Sequence, residues 1–295
     1  FDLCDINIQS ELKKPFIDNR PHIVFHAAAY KHVPIQELHP WAAVKTNIGG
    51  TSNLVELSNQ FDVGLFVLVS TDKAVNPVSI MGATKRASEK LIQSFNQKSK
   101  TNYMAVRFGN VLGSSGSAIP IFEKQISKGG PLTITHPEMT RYFMSIQEAA
   151  QLILQCGAIG QSGDILLLEM GKPIKILQMA KDLIRLSGLE PEIDIPIVFS
   201  GLRPGEKLYE ELQMKNEEKI NTNHKKIMIL KDKGSSESWE TFSVRIDEII
   251  RASRDINVDK IQELIKLIVP NYQPRVNNLP QNKSINQFEN LKAQA

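Results

Sequence analysis

The chain has 295 residues, 41% of them hydrophobic and 23% charged, and its 35 basic and 32 acidic side chains leave a net charge of only +3. That length buries a sizeable core, and so even a charge balance carries neither the basic footprint of a nucleic-acid binder nor the cationic face of a membrane-surface domain. Cys4 and Cys156 stand far apart without metal-ligand spacing and read as reduced thiols of a cytosolic protein, and the longest apolar runs, such as GLFVLV at 64–69, are far too short to span a bilayer.

The chain starts at Phe1, in what reads as the end of a strand, so we expect further sequence upstream. Residues 21–29, PHIVFHAAA, form a short apolar run ending in small residues, as a buried parallel strand does where it meets a ligand. Residues 41–60 follow a helical pattern, in which Gly49 and Gly50 either weaken the helix or permit close packing on a sheet. GLFVLVST at 64–71 reads as a second buried strand, about 80–97 as a long helix, and NYMAVRFGNVL at 102–112 as a third strand. Strands alternating with helices at these spacings predict an α/β fold with a parallel sheet and crossover helices. The ligand site then lies at the carboxyl ends of the strands, where HAAAYKH, STDK and RFGN all fall.

Beyond residue 113 the texture is more mixed. Helices are predicted at 118–128, 146–156 and 174–187, and strands at PLTIT (131–135) and DILLLEM (164–170). No Pro/Gly/Ser linker separates this stretch from the first, so it reads as a smaller α/β region built on the same body. Residues 275–295 are polar and aperiodic, the texture of a disordered tail.

Ser70, Thr71, Asp72 and Lys73 follow directly on the second strand, so hydroxyls, a carboxylate and an amine converge at one strand end. Such groups are the usual material of an active site. The alternative is a solvated turn in which Asp72 caps a helix or pairs with Lys73. Met81 and Lys85 are four apart on the predicted helix and share a face. A thioether takes up no proton at neutral pH, so Met81 is neither acid nor base.

Six motifs then occur in order: HAAAYKHVP (26–34), TNIGGTSNL (46–54), STDKAVNPVSIMGATK (70–85), RFGNVLGSSGS (107–117), TRYF (140–143) and GLRPGEKLYEEL (201–212). Together they resemble the extended short-chain dehydrogenases/reductases, and among them the CapD-like UDP-N-acetylglucosamine 4,6-dehydratases of bacterial polysaccharide biosynthesis. The resemblance implies a Rossmann-like, doubly wound parallel sheet whose first strands lie upstream of Phe1, with a smaller C-terminal α/β substrate-binding region. Residues 1–113 would be the remainder of the NAD(P)-binding domain, and 114–274 a mixed region holding the UDP-sugar elements.

The chemistry so implied oxidises C4 of the sugar by hydride transfer, which makes the C5 proton acidic; water then leaves across C5 and C6, and the hydride returns to C6. Asp72 would be the acid. Lys73 would be the base, in the position of a glutamate in the dTDP-glucose enzymes, and to act it must be neutral, a state that burial and a nearby Lys85 favour. A tyrosine is usual where this chain has Met81, but a subset of these dehydratases carries methionine there. The proton of the C4 hydroxyl would then fall to Thr71, Asp72 or an ordered water.

For the cofactor, NAD or NADP, the resemblance implies Asp5 at the adenine edge, Ala27, Ala28 and Ala29 under the dinucleotide, Asn47 and Ser70 beside it, and Lys85 on the nicotinamide ribose. The glycine-rich turn and the residue that separates the two cofactors would lie upstream. Capping suffices to explain Asp5, and a satisfied buried amide to explain Asn47. The UDP-sugar would meet Lys31, Asn110, Arg141, Arg203 and Glu206, because the planar fork of arginine suits a diphosphate; taken singly, each arginine reads as surface ion pairing. No metal and no nucleic acid is implied. A homo-oligomer is, with a cytoplasmic catalytic region whose upstream segment could carry a membrane anchor. A dehydratase that also inverts C5, and a non-catalytic NAD-binding scaffold, remain open.

Overall fold

The computed structural model describes residues 2–232 and 237–274. In chain order the first elements are α1 (Gln9–Asn19), β1 (Ile23–His26), α2 (Val33–Leu38), α3 (Pro40–Ala43), α4 (Thr51–Gln60), β2 (Leu65–Val69), α5 (Ile80–Phe95) and β3 (Asn102–Arg107). Next come β4 (Asn110–Val111), α6 (Ala118–Ser127), β5 (Leu132–Ile134), β6 (Thr140–Arg141), β7 (Phe143–Met144), α7 (Ile146–Ile159), β8 (Ile165–Leu168), β9 (Ile174–Lys175) and α8 (Ile176–Leu186). The remainder is β10 (Ile197–Phe199), β11 (Glu217–Asn221), β12 (Ile227–Asp232), α9 (Trp239–Arg254) and α10 (Val258–Ile268).

The main sheet runs β1-β2-β3-β8-β12-β11. The pairs β1/β2, β2/β3 and β3/β8 are parallel, while β12 and β11 add antiparallel. Both faces of β2, β3 and β8 are covered, which is why these strands are continuously apolar rather than alternating. By contrast β1, at the sheet edge, leaves Ile23 and Phe25 exposed and is not the buried strand expected from its apolar run. Phe66 and Leu68 of β2 pack with residues of α4, α5, α9 and α10 in one core, while Val67 joins Met104, Val106, Leu152 and Cys156 on the α7 side. A third apolar cluster ties α6 and α8 to β5 and β10.

The helix predicted over 41–60 is divided. Val44–Gly50 forms a π-helical segment between α3 and α4, and a Cβ on Gly50 would stand 2.5 Å from the Ile6 side chain, so the close approach requires glycine there. Residues 2–5 belong to no strand; Phe1, whose strand assignment was expected, and the expected 275–295 tail lie outside the described residues. Among the described residues no helix is long and apolar enough to cross a membrane.

Candidate active site

β2 ends at Val69, and the chain turns at once into a short 3₁₀ segment, Asp72–Ala74, whose N-cap is Thr71. The backbone N–H of Asp72 donates to the Phe108 carbonyl at 3.0 Å, so the turn is anchored on the segment leaving β3. α5 presses on it from the other side: a Cβ on Gly82 would stand 2.2 Å from the Lys73 carbonyl oxygen. Ser79 caps α5, accepting from the Gly82 N–H, and the Glu37 side chain accepts from the Ile80 N–H at 2.6 Å. The ends of β2 and β3 and the start of α5 are thus held against one turn.

Asp72 is fully buried. Its Oδ1 accepts from the Thr71 hydroxyl at 2.9 Å and from Lys73 Nζ at 3.0 Å, whereas its Oδ2 is buried with no hydrogen-bond partner among the described residues. Lys73 Nζ also donates to Asn110 Oδ1 at 3.2 Å and lies 3.6 Å from Glu210 Oε1. Burial acts to lower the pKa of Lys73, but the carboxylates of Asp72 and Glu210 outweigh it and hold the amine above its ordinary range. The neutral amine expected from the sequence is therefore not its resting form: the expectation counted burial and Lys85 but not two carboxylates against the ammonium.

Met81 and Lys85 occur one turn apart on α5, as the spacing predicts. Met81 is buried yet belongs to none of the three apolar clusters. Lys85 is only 5% exposed, and its ammonium has no hydrogen bond or ion pair among the described residues. Burial draws its pKa down to about 8, against a smaller upward pull from Glu89. His26, at the end of β1, is likewise pushed down to about 3 by burial and by Lys85. Its Nε2 lies 2.9 Å from Thr51 Oγ1, whose single proton goes to the Asn47 carbonyl at 2.6 Å, so His26 carries its proton on Nε2 and stays neutral.

Ala27 and Ala28 are exposed beyond β1, with Ala29 half-buried, and Lys31 is exposed. Asn47 clamps the Tyr30 backbone, accepting from its N–H at 2.8 Å and donating to its carbonyl at 3.2 Å, and donates to Thr84 of α5 at 3.0 Å. It thereby fixes the loop after β1 to the helix carrying Met81 and Lys85. This is the satisfied-amide reading, realised on a π-helical turn of the kind often kept at functional sites.

Other expected site residues have different surroundings. The Ser70 hydroxyl donates to Glu89 Oε1 at 2.6 Å, inside a buried ion cluster, and is not free for a cofactor. Arg141 is buried, its fork donating to the carbonyls of Thr140, Leu208 and Lys207 at 2.7, 3.2 and 2.7 Å; it clamps the 207–208 segment rather than presenting a free fork to a diphosphate. Arg203 is exposed and pairs with Glu206 at 3.3 Å, within a turn where Glu206 also accepts the Arg203 N–H. Asp5 caps its own turn, accepting from the backbone and side chain of Asn7.

Sequence reasoning missed two groups. Glu210 lies within the quoted GLRPGEKLYEEL, but nothing in that spacing distinguishes it from Glu206 or Glu211. The buried cluster beneath the site was missed altogether. Arg107 grips Glu89 through two bonds of 2.7 Å and donates to Glu217 at 2.8 Å, while Arg86 adds a 3.0 Å contact to Glu89. Burial opposes ionisation of Glu89, but the two arginines and Ser70 overcome it and hold its carboxyl at about 2.

A parallel sheet with its polar residues gathered at the carboxyl strand ends, a lysine on the adjoining helix and small residues after β1 defines the chain as a Rossmann-like α/β protein of the extended short-chain dehydrogenase/reductase type. Comparison with known proteins agrees. Residues 1–232 match the family described as polysaccharide biosynthesis protein, and the chain belongs to that family. It is 56% identical over 216 residues to the capsular polysaccharide biosynthesis protein CapD of Staphylococcus aureus, a match covering 73% of this chain and 36% of that protein, so the chain spans about a third of this relative's length. Over 195 residues it is 40% identical to a UDP-glucose 4-epimerase of Rickettsia canadensis (64% of this chain, 55% of that one). Over 191 residues it is 39% identical to the UDP-N-acetylglucosamine 4,6-dehydratase (inverting) of Campylobacter jejuni (63% and 54%). Among solved structures, that of Pen from Bacillus thuringiensis superposes with a TM-score of 0.72 at 33% identity, covering 80% of this chain and 74% of that one.

Proposed function

We propose that the chain is the catalytic region of a UDP-N-acetylglucosamine 4,6-dehydratase, with residues 1–113 contributing the remainder of a cofactor domain and 114–274 the sugar-nucleotide elements. The observation that carries this reading is the hydrogen-bonded Asp72–Lys73 pair at the end of β2. An epimerase moves a hydride and the proton of one hydroxyl; elimination across C5 and C6 needs in addition a base for a C–H and an acid for a departing hydroxyl.

The Asp72 carboxylate and the Lys73 ammonium together hold one transferable proton. Moved from Nζ to Oδ1, across 3.0 Å, it leaves a carboxylic acid and a neutral amine, the pair that elimination requires. Lys73 then takes the C5 proton, the electrons of that C–H bond become the C5–C6 double bond, and Asp72 gives its proton to the C6 oxygen as the C–O bond breaks and water leaves. Thr71, bonded to Asp72 Oδ1, is the hydroxyl nearest the acid. The proton of the C4 hydroxyl would pass by way of Thr71 to solvent, since Asp72 already carries the proton it gives to the C6 oxygen, and Lys73 would return its proton to C5 after the hydride reaches C6.

The residues present fit the nicotinamide end of a dinucleotide. Lys85 is a buried cation with no hydrogen-bonded or ion-paired partner among the described residues, and exposed Ala27 and Ala28 leave room for backbone approach. A bound nicotinamide supplies the hydride acceptor for C4 and the donor for C6. Lys85 and Ala27–Ala29 would hold it, with Asn47 positioning the loop; Lys31, Asn110 and Arg203 would meet the UDP-sugar, with Arg141 and Glu206 shaping the segment that carries Arg203. This reading also includes a cytoplasmic site and assembly into a homo-oligomer.

The test is mass spectrometry of UDP-N-acetylglucosamine incubated with NAD and the protein in heavy water. Loss of one water with gain of one deuterium is expected. A product of unchanged mass but altered C4 stereochemistry would replace the dehydratase by a 4-epimerase, and an untouched substrate with bound NAD would favour a silent scaffold.

A further inference from the structure

Resting on that reading of the reaction, one buried group has no part in it so far. Glu210 is 8% exposed, its Oε1 lies 3.6 Å from Lys73 Nζ and 3.8 Å from Arg141 Nε, and its Oε2 is buried with no hydrogen-bond partner among the described residues. Such an orphan carboxylate oxygen costs free energy on folding, and native structures keep few of them. Asp72 Oδ2, on the other side of Lys73, is orphaned in the same way. The amine therefore sits between two carboxylates, each with one oxygen committed and one open.

The local fold delivers Glu210 to this place deliberately. Arg141 grips the carbonyls of Lys207 and Leu208, the Thr140 N–H donates to the Leu208 carbonyl at 3.3 Å, and Lys207 Nζ reaches back to the Val75 carbonyl at 2.8 Å, just past the catalytic turn. The strand β6, the 207–210 segment and the Asp72–Ala74 turn are thereby locked together, and Glu210 is the acidic side chain this lock presents to Lys73.

We propose that Glu210 is a positioning residue for Lys73: it fixes the amine between two carboxylates, aimed for the C5 proton. The charged groups facing Lys73 are Asp72 on its own turn, Glu210 from the 207–210 segment and Arg141 from β6, with Asn110 as a neutral acceptor. A proton arriving on Nζ from carbon creates a cation, and Glu210 stabilises that cation when Asp72, having given its own proton away, is still in contact with departing water. A carboxylate that favours the charged amine by one pH unit also makes its first proton about tenfold harder to pass to Asp72, so the contribution of Glu210 to the rate is the placement of the amine rather than added basicity.

The test is Glu210→Gln, which keeps the shape and removes the charge. Lysine 13Cε and 15Nζ NMR of the protein, with the Lys73 signal assigned by its loss in Lys73→Ala, should show the Lys73 midpoint falling by about one pH unit or more. In turnover, kcat and deuterium entry at C5 should drop roughly 10-fold to 100-fold with KM near the wild-type value, and Glu210→Asp should recover part of both. A Lys73 midpoint unmoved in Glu210→Gln overturns the proposal, as does a loss of folding stability without change in that midpoint; should Glu210→Gln not fold, Glu210→Asp read by the same midpoint decides. If wild type itself shows no dehydration, the reaction reading fails, and the NMR arm still judges the link between Glu210 and Lys73.

Discussion

Replacing Lys85 with methionine should make the protein more stable and leave it unable to work. Lys85 is 5% exposed without a hydrogen-bonded or ion-paired partner among the described residues, and burial lowers its pKa from 10.5 to about 8. At about 1.36 kcal/mol for each pH unit, that fall corresponds to a cost of about 3 kcal/mol for keeping the ammonium in the folded protein. Below pH 8 both folded and unfolded chains carry the proton and the cost is fully present. As pH rises from about 8 to 10.5 the folded protein releases the proton while the unfolded chain retains it, so the cost is relieved and stability climbs. Methionine fills a similar volume without charge, so Lys85→Met should gain about 2–3 kcal/mol at pH 7 and lose that advantage by about pH 10.5. Urea unfolding at a series of pH values, followed by circular dichroism, reads both, while product analysis reads the loss of turnover. A variant less stable than wild type at pH 7, or an advantage that does not shrink with pH, would show that the ammonium is satisfied and the reasoning wrong.

The buried cluster beneath the site should behave in the opposite sense. Arg107→Met leaves Glu89 buried with Arg86 and Ser70 alone and should cost about 3–5 kcal/mol, which the double variant Arg107→Met/Glu89→Gln largely restores. In wild type, Glu89 is held at about 2, so its contribution is complete above its ordinary 4.5 and is lost as pH falls from there toward 2; acid unfolding of Arg107→Met should lack that limb. Gly82→Ala puts a methyl group into the Lys73 carbonyl and, by forcing α5 off the catalytic turn, should lower kcat roughly 100-fold. Met81→Leu should keep turnover within about threefold, because a volume-conserving apolar swap removes only a sulfur that handles no proton; a larger loss would give the thioether a role in the reaction.

The parallel half of the sheet was legible because buried parallel strands are apolar without interruption, and β2 and β3 are such strands; β1 falls inside its apolar run too, but as an edge strand with Ile23 and Phe25 exposed. The antiparallel β11 and β12 and the helices α9 and α10 went unread. Glu217–Asn221 is too polar to announce a strand, and it pairs only because β12 lies against β8. The strand-end position of Asp72, Lys73 and Asn110 was legible for the same reason as the sheet itself. The protonation of Lys73 was not, because it turns on the contact its amine makes with Asp72 and on a second carboxylate, Glu210, that lies far along the chain and reaches the site through the Arg141 clamp. Ser70 shows the converse: a hydroxyl beside the catalytic pair in sequence points the other way, since alternate residues leaving a strand face opposite sides and its side faces Glu89.

Lys85 and Glu89 are one turn apart on α5 and both buried, at 5% and 0% exposure, yet they meet opposite treatment. Glu89 has every oxygen committed, to Arg107, Arg86 and Ser70, so its burial joins α5 to β3 and, through Glu217, to β11. Among the described residues Lys85 has no hydrogen-bonded or ion-paired partner, and Asp72 Oδ2 and Glu210 Oε2 have no hydrogen-bond partner. A fold selected for stability alone would pair or remove such groups, as the next turn of the same helix demonstrates. Glu217 Oε1 in the lower cluster also has no hydrogen-bond partner among the described residues, but around Lys73 two carboxylates each keep one open oxygen beside the same amine. On the proposed reading these open oxygens mark where proton transfer would take place, and a methionine at position 81 then need not silence the site. The groups proposed to handle protons, Thr71, Asp72 and Lys73, lie on the turn after β2, and Glu210, proposed to position Lys73, comes from the 207–210 segment, so none of them is the side chain at 81.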